Sequence, residues 1–244
     1  MATTILEDTR QQAGKHDLKH KWFTENGVFV NRCTLVCGDY QIPGDGSVAV
    51  DSKKDITELI GDIQVRQMPK KEIRQNLDNL FPELDAFNLY SLICDDDSDR
   101  FPENEISNYC FKRNLPESWM KAAQDLYLKR HGFFHRGLIR AKQYGVKLYI
   151  LVENEDGVES IEDLFRWINP RSQIFVRSNI VRGYYKNGDP IYQRVQKYPN
   201  CMKGQQLAKA CLTMEKKYGC QFVFCKPREA GRKIVELLGG DGDG

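Results

Sequence analysis

The chain is expected to be a mixed α/β protein, and three observations predict this. Short β-branched or aromatic runs alternate with amphipathic stretches of helical length along most of the 244 residues. The most hydrophobic run, Val146 to Val152 ("VKLYILV"), has the length of a buried strand and falls far short of a membrane span. Turn signals ("NG", "PGDG", "NGDP") separate the apolar runs.

Taken in order, Thr3 to Asp8 ("TTILED") reads as a strand. Gln12 to Asn26 reads as a helix with Leu18, Trp22 and Phe23 on one side, stopped by "NG". Val28 to Val36 and Asp39 to Ile42 are strand-like, and "PGDG" turns the chain into a strand at Ser47 to Lys53 with Val48 and Val50 on one face. Asp55 to Gln64 carries Ile56, Leu59, Ile60 and Ile63 at helical spacing. Residues 65 to about 130 mix short helical patches with prolines and an acidic loop, and are expected to be an insertion without a clear core of its own. A long helical stretch from Pro116 to Tyr144, broken near Gly132, leads into the strand Lys147 to Val152. Ile161 to Ile168 is a short helix closed by "NP", and Gln173 to Val195 a β-hairpin with "NGDP" at its tip. A helix (Gly204 to Tyr218), a strand (Gln221 to Cys225) and a proline-started helix (Pro227 to Leu238) complete the fold. The final "GGDGDG" (239 to 244) reads as a disordered tail. One domain over 1–238 is expected, its core at about 3–64 and 131–238.

Hydrophobic residues make up 41% of the chain, enough for a packed core, and the N-terminus has no signal-peptide pattern. A soluble cytoplasmic protein without a membrane partner is expected. The eight cysteines show no Cys-x-x-Cys spacing, so reduced structural thiols are expected rather than a zinc site or a disulfide framework. The net charge of +2 hides an uneven distribution. Residues 171 to 203 carry seven Lys or Arg against Asp189 alone, and residues 112 to 147 carry nine against Glu117 and Asp125. Two basic segments in a nearly neutral chain suit a polyanion, although solvated helix faces give the same pattern.

The chemistry concentrates in residues 35 to 55. Asp39 begins one strand, while Asp51 and Lys53 end the next and share a strand face because they are two apart. Carboxylates meeting beside an ammonium group fit a divalent-metal site for phosphodiester cleavage, with the Ser52 carbonyl as a further metal contact. The bland alternative is a surface hairpin with solvated charges. Glu58 on the following helix either approaches the metal through water or is a surface charge.

"LEDTR" (6 to 10), "GDY" (38 to 40) and "VDSKKD" (50 to 55) occur in that order, each at a strand end. This set resembles the XPF-type structure-specific endonuclease domain of the PD-(D/E)xK nucleases, whose pattern runs V-D-x-R-E, G-D-Y and E-R-K. "RGLIRAKQYGVKLYILVEN" (136 to 154) is similar to that family's next helix and core strand. The C-terminal "GQQLAKACLTMEKKYGCQFVFCKP" more loosely resembles stand-alone nucleases of bacteria and their phages. The resemblance covers about residues 4–64 and 131–168. It implies a restriction-endonuclease-like central mixed sheet flanked by helices, Mg²⁺ or Mn²⁺ as cofactor, branched or duplex DNA as partner, a possible homodimer, and a bacterial or phage-infected cell as location. It implies metal ligation by Asp8, Asp39, Asp51 and Ser52, and catalysis by Asp39, Asp51, Lys53, Asp8 and Arg10. The chain departs from the pattern at Gln11, where the family has glutamate, and at Asp51 and Ser52 in place of E-R.

For Arg10 the competing reading is an ion pair with Glu7 or Asp8. Arg136 and Arg140 are one helical turn apart and suit a DNA path, or an exposed amphipathic face. Arg177, Arg182, Lys186 and Arg194, interleaved with Tyr184, Tyr185 and Tyr192, suit a nucleic-acid backbone with stacked bases, or a hairpin packing aromatics on the sheet. His131 and His135 sit at i, i+4 spacing without a zincin's glutamate, so aromatic packing is the expectation. Asp95 to Asp97 reads as a solvated or DNA-mimicking loop. Three functions follow: a metal-dependent DNA endonuclease, a catalytically weak or inactive DNA-binding or partner module of the same fold, and an interaction protein whose acidic loop mimics DNA.

Overall fold

A computed structural model describes residues 3–10, 17–64, 68–80, 87–95, 98–116 and 118–239. Gln11, the first residues of the expected N-terminal helix, Asp96, Asp97 and residues 240–244 of the expected tail lie outside them. The strands are β1 (Thr4–Asp8), β2 (Phe29–Cys33), β3 (Tyr40–Ile42), β4 (Asp45–Lys53), β5 (Lys147–Glu153), β6 (Phe175–Tyr184), β7 (Pro190–Gln196) and β8 (Gln221–Cys225). The helices are α1 (Asp17–Glu25), α2 (Ile56–Gln64), α3 (Lys70–Leu80), α4 (Phe87–Ile93), α5 (Glu103–Lys112), α6 (Ser118–Arg130), α7 (Phe133–Gln143), α8 (Ile161–Leu164), α9 (Gly204–Tyr218) and α10 (Ala230–Leu237).

Six strands form one sheet in the order β2-β1-β3-β4-β5-β8, and β6 pairs only with β7. β3 runs antiparallel to both β1 and β4, whereas β2 lies parallel to β1, β5 parallel to β4 and β8 parallel to β5. The sheet is therefore mixed, as the alternation of strand and helix signals predicts. Period-two alternation sends side chains to opposite faces. Ala49, Leu148, Ile150 and Val152 join residues of α2, α7 and α9 in one cluster, while Val50 and Leu151 join Phe23 of α1 and Ile234 of α10 in another. Asp51 and Lys53 consequently rise on the α7 face, and Ser52 and Glu153 on the α1 face.

Three local expectations are corrected. On α1, Leu18 is 55% exposed and Lys19 1% exposed, so a lysine replaces the expected leucine on the buried side. β2 stops at Cys33 rather than Val36, because the Leu35 N–H donates to the Asp8 carboxylate (3.1 Å) instead of continuing a ladder. The expected helix over 161–168 is confined to α8, started by a Ser160–Asp163 capping box. The break near Gly132 does separate α6 from α7, and the hairpin turns at 185–189 around "NGDP".

Residues 68–130 gather more structure than their sequence suggests. Ile73 and Leu77 of α3, Leu89 and Ile93 of α4, Ile106 and Tyr109 of α5, and Leu126 and Tyr127 of α6 form a hydrophobic cluster of their own. The periodicity was hard to see because each helix is short and contributes only two or three buried positions. No described helix is long and apolar enough to cross a membrane. All eight cysteines are free and none is exposed. Burial pushes the Cys211, Cys220 and Cys225 thiols up to about 12, so they pack as inert apolar groups.

Candidate active site

A cleft of about 280 Å³ opens where β1 and β4 end and β3 begins, and α2 and α7 wall its other side. Asp8, Arg10, Asp39, Asp51, Ser52 and Lys53 all line it. Residues up to 45 positions apart in sequence thus meet at one place, and each arrives by a definable route.

Asp39 is placed by its own backbone. Its N–H donates to the Val50 carbonyl (2.7 Å), and its carbonyl accepts from the Asp8 N–H (2.8 Å). The preceding Gly38 has φ +70°, and a Cβ there would lie 3.0 Å from both Ala49 Cβ and the Val50 carbonyl oxygen. Only glycine fits this approach, which explains the "GD" of the motif. Asp39 Oδ2 accepts from the Ser52 N–H (2.7 Å) and the Ser52 hydroxyl (3.0 Å), which locks the carboxylate against the end of β4.

Asp51 and Lys53 project into the cleft from the same face of β4. The Lys53 ammonium lies 3.2 Å from Asp51 Oδ1 and 2.8 Å from Asp62 Oδ2, and 4.7 Å from the centre of the Phe134 ring. Burial lowers the affinity of Lys53 for its proton, but the charges of Asp51 and Asp62 outweigh this and hold it above its ordinary value. Burial pushes the Asp51 carboxyl up to about 7; Asp39 and Asp62 add to this, and Lys53 opposes it. Burial is thus the main reason Asp51 holds its proton, and the neighbouring acids add to it against the Lys53 ammonium.

Asp8 lines the cleft, yet both its oxygens are engaged. Oδ1 accepts from the Arg10 backbone N–H (2.7 Å) and Nε (2.8 Å), and Oδ2 accepts from Arg10 Nη2 and the Leu35 N–H. Burial pushes this carboxyl up, but the Arg10 and Leu35 hydrogen bonds outweigh it and hold it below the ordinary value. Arg10 therefore pairs with Asp8 and not with Glu7, which binds His20, Arg32 and the Tyr40 hydroxyl instead. Among the described residues, no three His, Cys, Asp or Glu side chains form a ready-made metal-holding group. Of the carboxylates expected to converge, Asp39 and Asp51 share the open cleft, and Asp8 serves as the anchor of Arg10.

Three site residues escaped the sequence reading. Asp62 sits four residues after Glu58 on α2, and both line the cleft; the i, i+4 acid pair was its signal. Glu58 also accepts from the Lys54 N–H (2.8 Å). On the opposite face of the sheet, Lys19 Nζ donates to Glu153 Oε1 (2.5 Å) and to Ser52 Oγ (3.3 Å). A buried chain Glu153–Lys19–Ser52–Asp39 therefore backs the site. Burial raises the Glu153 carboxyl despite the facing ammonium. A lysine on the apolar stripe of α1 was the only sequence signal for it.

The expected nucleic-acid residues fall into two groups. Arg140 lines the cleft and is tethered to Asp99 (3.1 Å) and the Val36 carbonyl (3.0 Å). Arg136 lies 5.8 Å from the ring of Phe133, itself 74% exposed at the cleft wall, and its buried Nε has no hydrogen-bond partner. Arg177, Arg182, Lys186 and Arg194 lie on the β6–β7 hairpin and do not line the cleft. His131 stacks on Tyr127 (4.4 Å between centroids), and its Nε2 lies 2.8 Å from the Ile93 carbonyl. His135 meets the Tyr218 hydroxyl at 3.3 Å, in agreement with aromatic packing. Compared with protein-family models and with curated proteins, the chain matches none.

Proposed function

We propose that this chain is a divalent-metal-dependent DNA endonuclease with a restriction-endonuclease-like core. The observation that carries the reading is the meeting of Asp39, Asp51 and Lys53 in one cleft. There Asp39, Asp51 and Asp62 face the single ammonium of Lys53, while the other cations nearby are paired off with Asp8 and Asp99. That donor set is all oxygen, and with Glu58 also in the lining the carboxylates outnumber the one ammonium, which suits Mg²⁺ or Mn²⁺. Asp39, Asp51 and the Ser52 carbonyl would hold the ion, which when bound supplies Lewis acidity toward a phosphodiester.

The rest follows from the chain's own groups. Lys53, fixed between two carboxylates, keeps its proton and presents positive charge where an attacked phosphate gathers negative charge. Ser52 and the buried Lys19–Glu153 pair keep Asp39 from rotating away. Arg10, locked by Asp8 at the rim, is directed toward a backbone phosphate. The mixed sheet with helices on both faces supports the core assignment, and the resemblance in the three motifs supports branched or junction-containing DNA as substrate.

The test is cleavage of flap, fork and linear duplex DNA with Mg²⁺ or Mn²⁺ against a chelator control. Asp39→Asn, Asp51→Asn and Lys53→Ala should each lower cleavage by about 100-fold or more while DNA binding persists. Purified Asp51→Asn protein cutting at the wild-type rate would refute the site. One observation favours a second reading, a DNA-binding module without turnover: Asp8 is committed to Arg10, which leaves two carboxylates for the ion. Metal-independent DNA binding with no nicking on any substrate would select that reading.

A further inference from the structure

The β6–β7 hairpin stands apart from everything else in the fold. It hydrogen-bonds to no strand of the main sheet, and none of the three hydrophobic clusters includes a residue from 174–198. Its base is closed by Lys197 N–H to the Ile174 carbonyl and Gln196 Nε2 to the Ser172 carbonyl. An isolated two-stranded ribbon is marginally stable in water, so a chain that keeps one, with β6 mostly exposed and no residue of β7 buried, needs a reason.

Its side chains supply one. Residues 174–198 carry Arg177, Arg182, Lys186, Arg194 and Lys197 against Asp189 alone. None of the five cations forms an ion pair with a described acid. Arg177 and Arg194 are direct cross-strand partners, a like-charge pairing that destabilises an isolated hairpin. The Arg177 guanidinium lies 3.4 Å from the centre of the Tyr192 ring, which holds it on that face. Ile180, Tyr184 (69%) and Tyr185 (60%) are exposed beside these charges. A ribbon that concentrates unpaired cations and bare rings, at a cost to its own stability, fits a polyanion with flat apolar faces.

We infer that the β6–β7 hairpin is a duplex-DNA-binding arm, a second contact site separate from the cleft, with the Arg177–Arg194 face on the phosphates. It rests on the nuclease reading only for the identity of the polyanion. Two strands about 5 Å apart fit a major groove about 12 Å wide. The seven residues of β7 extend about 23 Å, roughly two-thirds of a duplex turn of about 34 Å. A second copy of the chain is a poorer occupant, because a two-fold contact between arms would set arginine against arginine.

The experiment is fluorescence anisotropy on a labelled duplex of about three helical turns, in EDTA, so that binding is read without cleavage. Each phosphate contact contributes about 0.9 to the slope of log affinity against log salt, so Arg177→Gln/Arg194→Gln should lower the slope by about 1.8. Between about 50 and 200 mM salt, wild type should then lose about 12-fold more affinity than the variant. Tyr184→Ala/Tyr185→Ala should weaken binding with the slope unchanged, and both variants should melt at or above the wild-type temperature, since the substituted side chains belong to none of the hydrophobic clusters. Wild-type affinity and slope in the arginine variant overturns the inference. So does an arm-dependent loss of self-association in sedimentation, or of binding to phosphatidylserine vesicles, with duplex binding intact. Because no metal is present, a wild-type protein that never cuts DNA but binds it through the arm refutes the proposed activity and leaves the arm standing.

Discussion

Asp51→Asn should make the metal-free protein more stable. The carboxyl of Asp51 is pushed up to about 7 from an ordinary value of 3.8, first by burial and then by Asp39 and Asp62. A folded-state value above the unfolded one means the fold binds the proton more tightly than the open chain does. The stability this provides is complete below about pH 4 and disappears as pH rises through about 7. A shift of about three units at ~1.4 kcal/mol each sets an upper bound of about 4 kcal/mol lost by pH 8. Relaxation of the cleft and entry of water reduce this, and about 2 kcal/mol is the expected net effect. Asparagine keeps the shape and an oxygen for Lys53, has no charge to bury, and leaves Lys53 its 2.8 Å partner Asp62.

Each kcal/mol moves the melting temperature of a chain this size by about 2–4 °C. In EDTA at pH 8, Asp51→Asn should therefore melt about 4–8 °C above wild type, and the gap should narrow as pH falls and close only below about pH 4. Mg²⁺ or Mn²⁺ should raise the wild-type midpoint at pH 8 and leave that of the variant nearly unmoved, because a ligand that binds only the folded state stabilises it by mass action. Differential scanning fluorimetry across pH reads all of this. A variant that melts at or below wild type at pH 8, with no pH-dependent gap, would show that Asp51 is not electrostatically strained and that the cleft has no charge deficit for a cation to fill.

Two further substitutions probe the frame around the site. Lys19→Met leaves Glu153 buried without its 2.5 Å partner and should cost about 3–5 kcal/mol, most of it recovered in Lys19→Met/Glu153→Leu; equal denaturant midpoints for wild type and the single variant would dismiss the pair as a structural element. Gly38→Ala forces a side chain into φ +70° and against Ala49 and Val50, so a loss of about 2 kcal/mol or more is expected. Its cleavage, measured well below the melting temperature, should fall further than the folded fraction does, and unchanged cleavage would show that Asp39 needs no such anchor.

How much of this was legible in the sequence depends on the distance over which each signal acts. Alternation along Ser47 to Lys53 already placed Asp51 and Lys53 together, and glycine before Asp39 already marked a special backbone. The "NGDP" turn announced the hairpin. What stayed hidden was set by partners far away in the chain. Lys19 meets Glu153 across 134 positions, and nothing near Lys19 distinguishes a lysine that caps a buried acid from one that faces water. Leu18 looked like the core residue because apolarity is read locally, whereas the sheet presented α1 with a charge to satisfy. Motif position marks Asp8 for the cleft, which it does line, but does not reveal that Arg10, two residues on, engages both its oxygens.

These departures share one physical origin, because strand β4 serves two faces at once. Asp51 and Lys53 on one side form a charge-rich cleft that is unfavourable on its own, while Ser52 between them points the other way into the Lys19–Glu153 pair and ties Asp39 down through its hydroxyl and N–H. Carboxylates crowded as closely as those around Asp51 repel one another, and without a rigid backing they would swing apart into solvent. The buried pair behind the sheet holds Asp39 in the cleft when no cation is present. On the proposed reading, an ion entering this cleft would meet an Asp39 already held in place, and the strain at Asp51 is the measurable consequence.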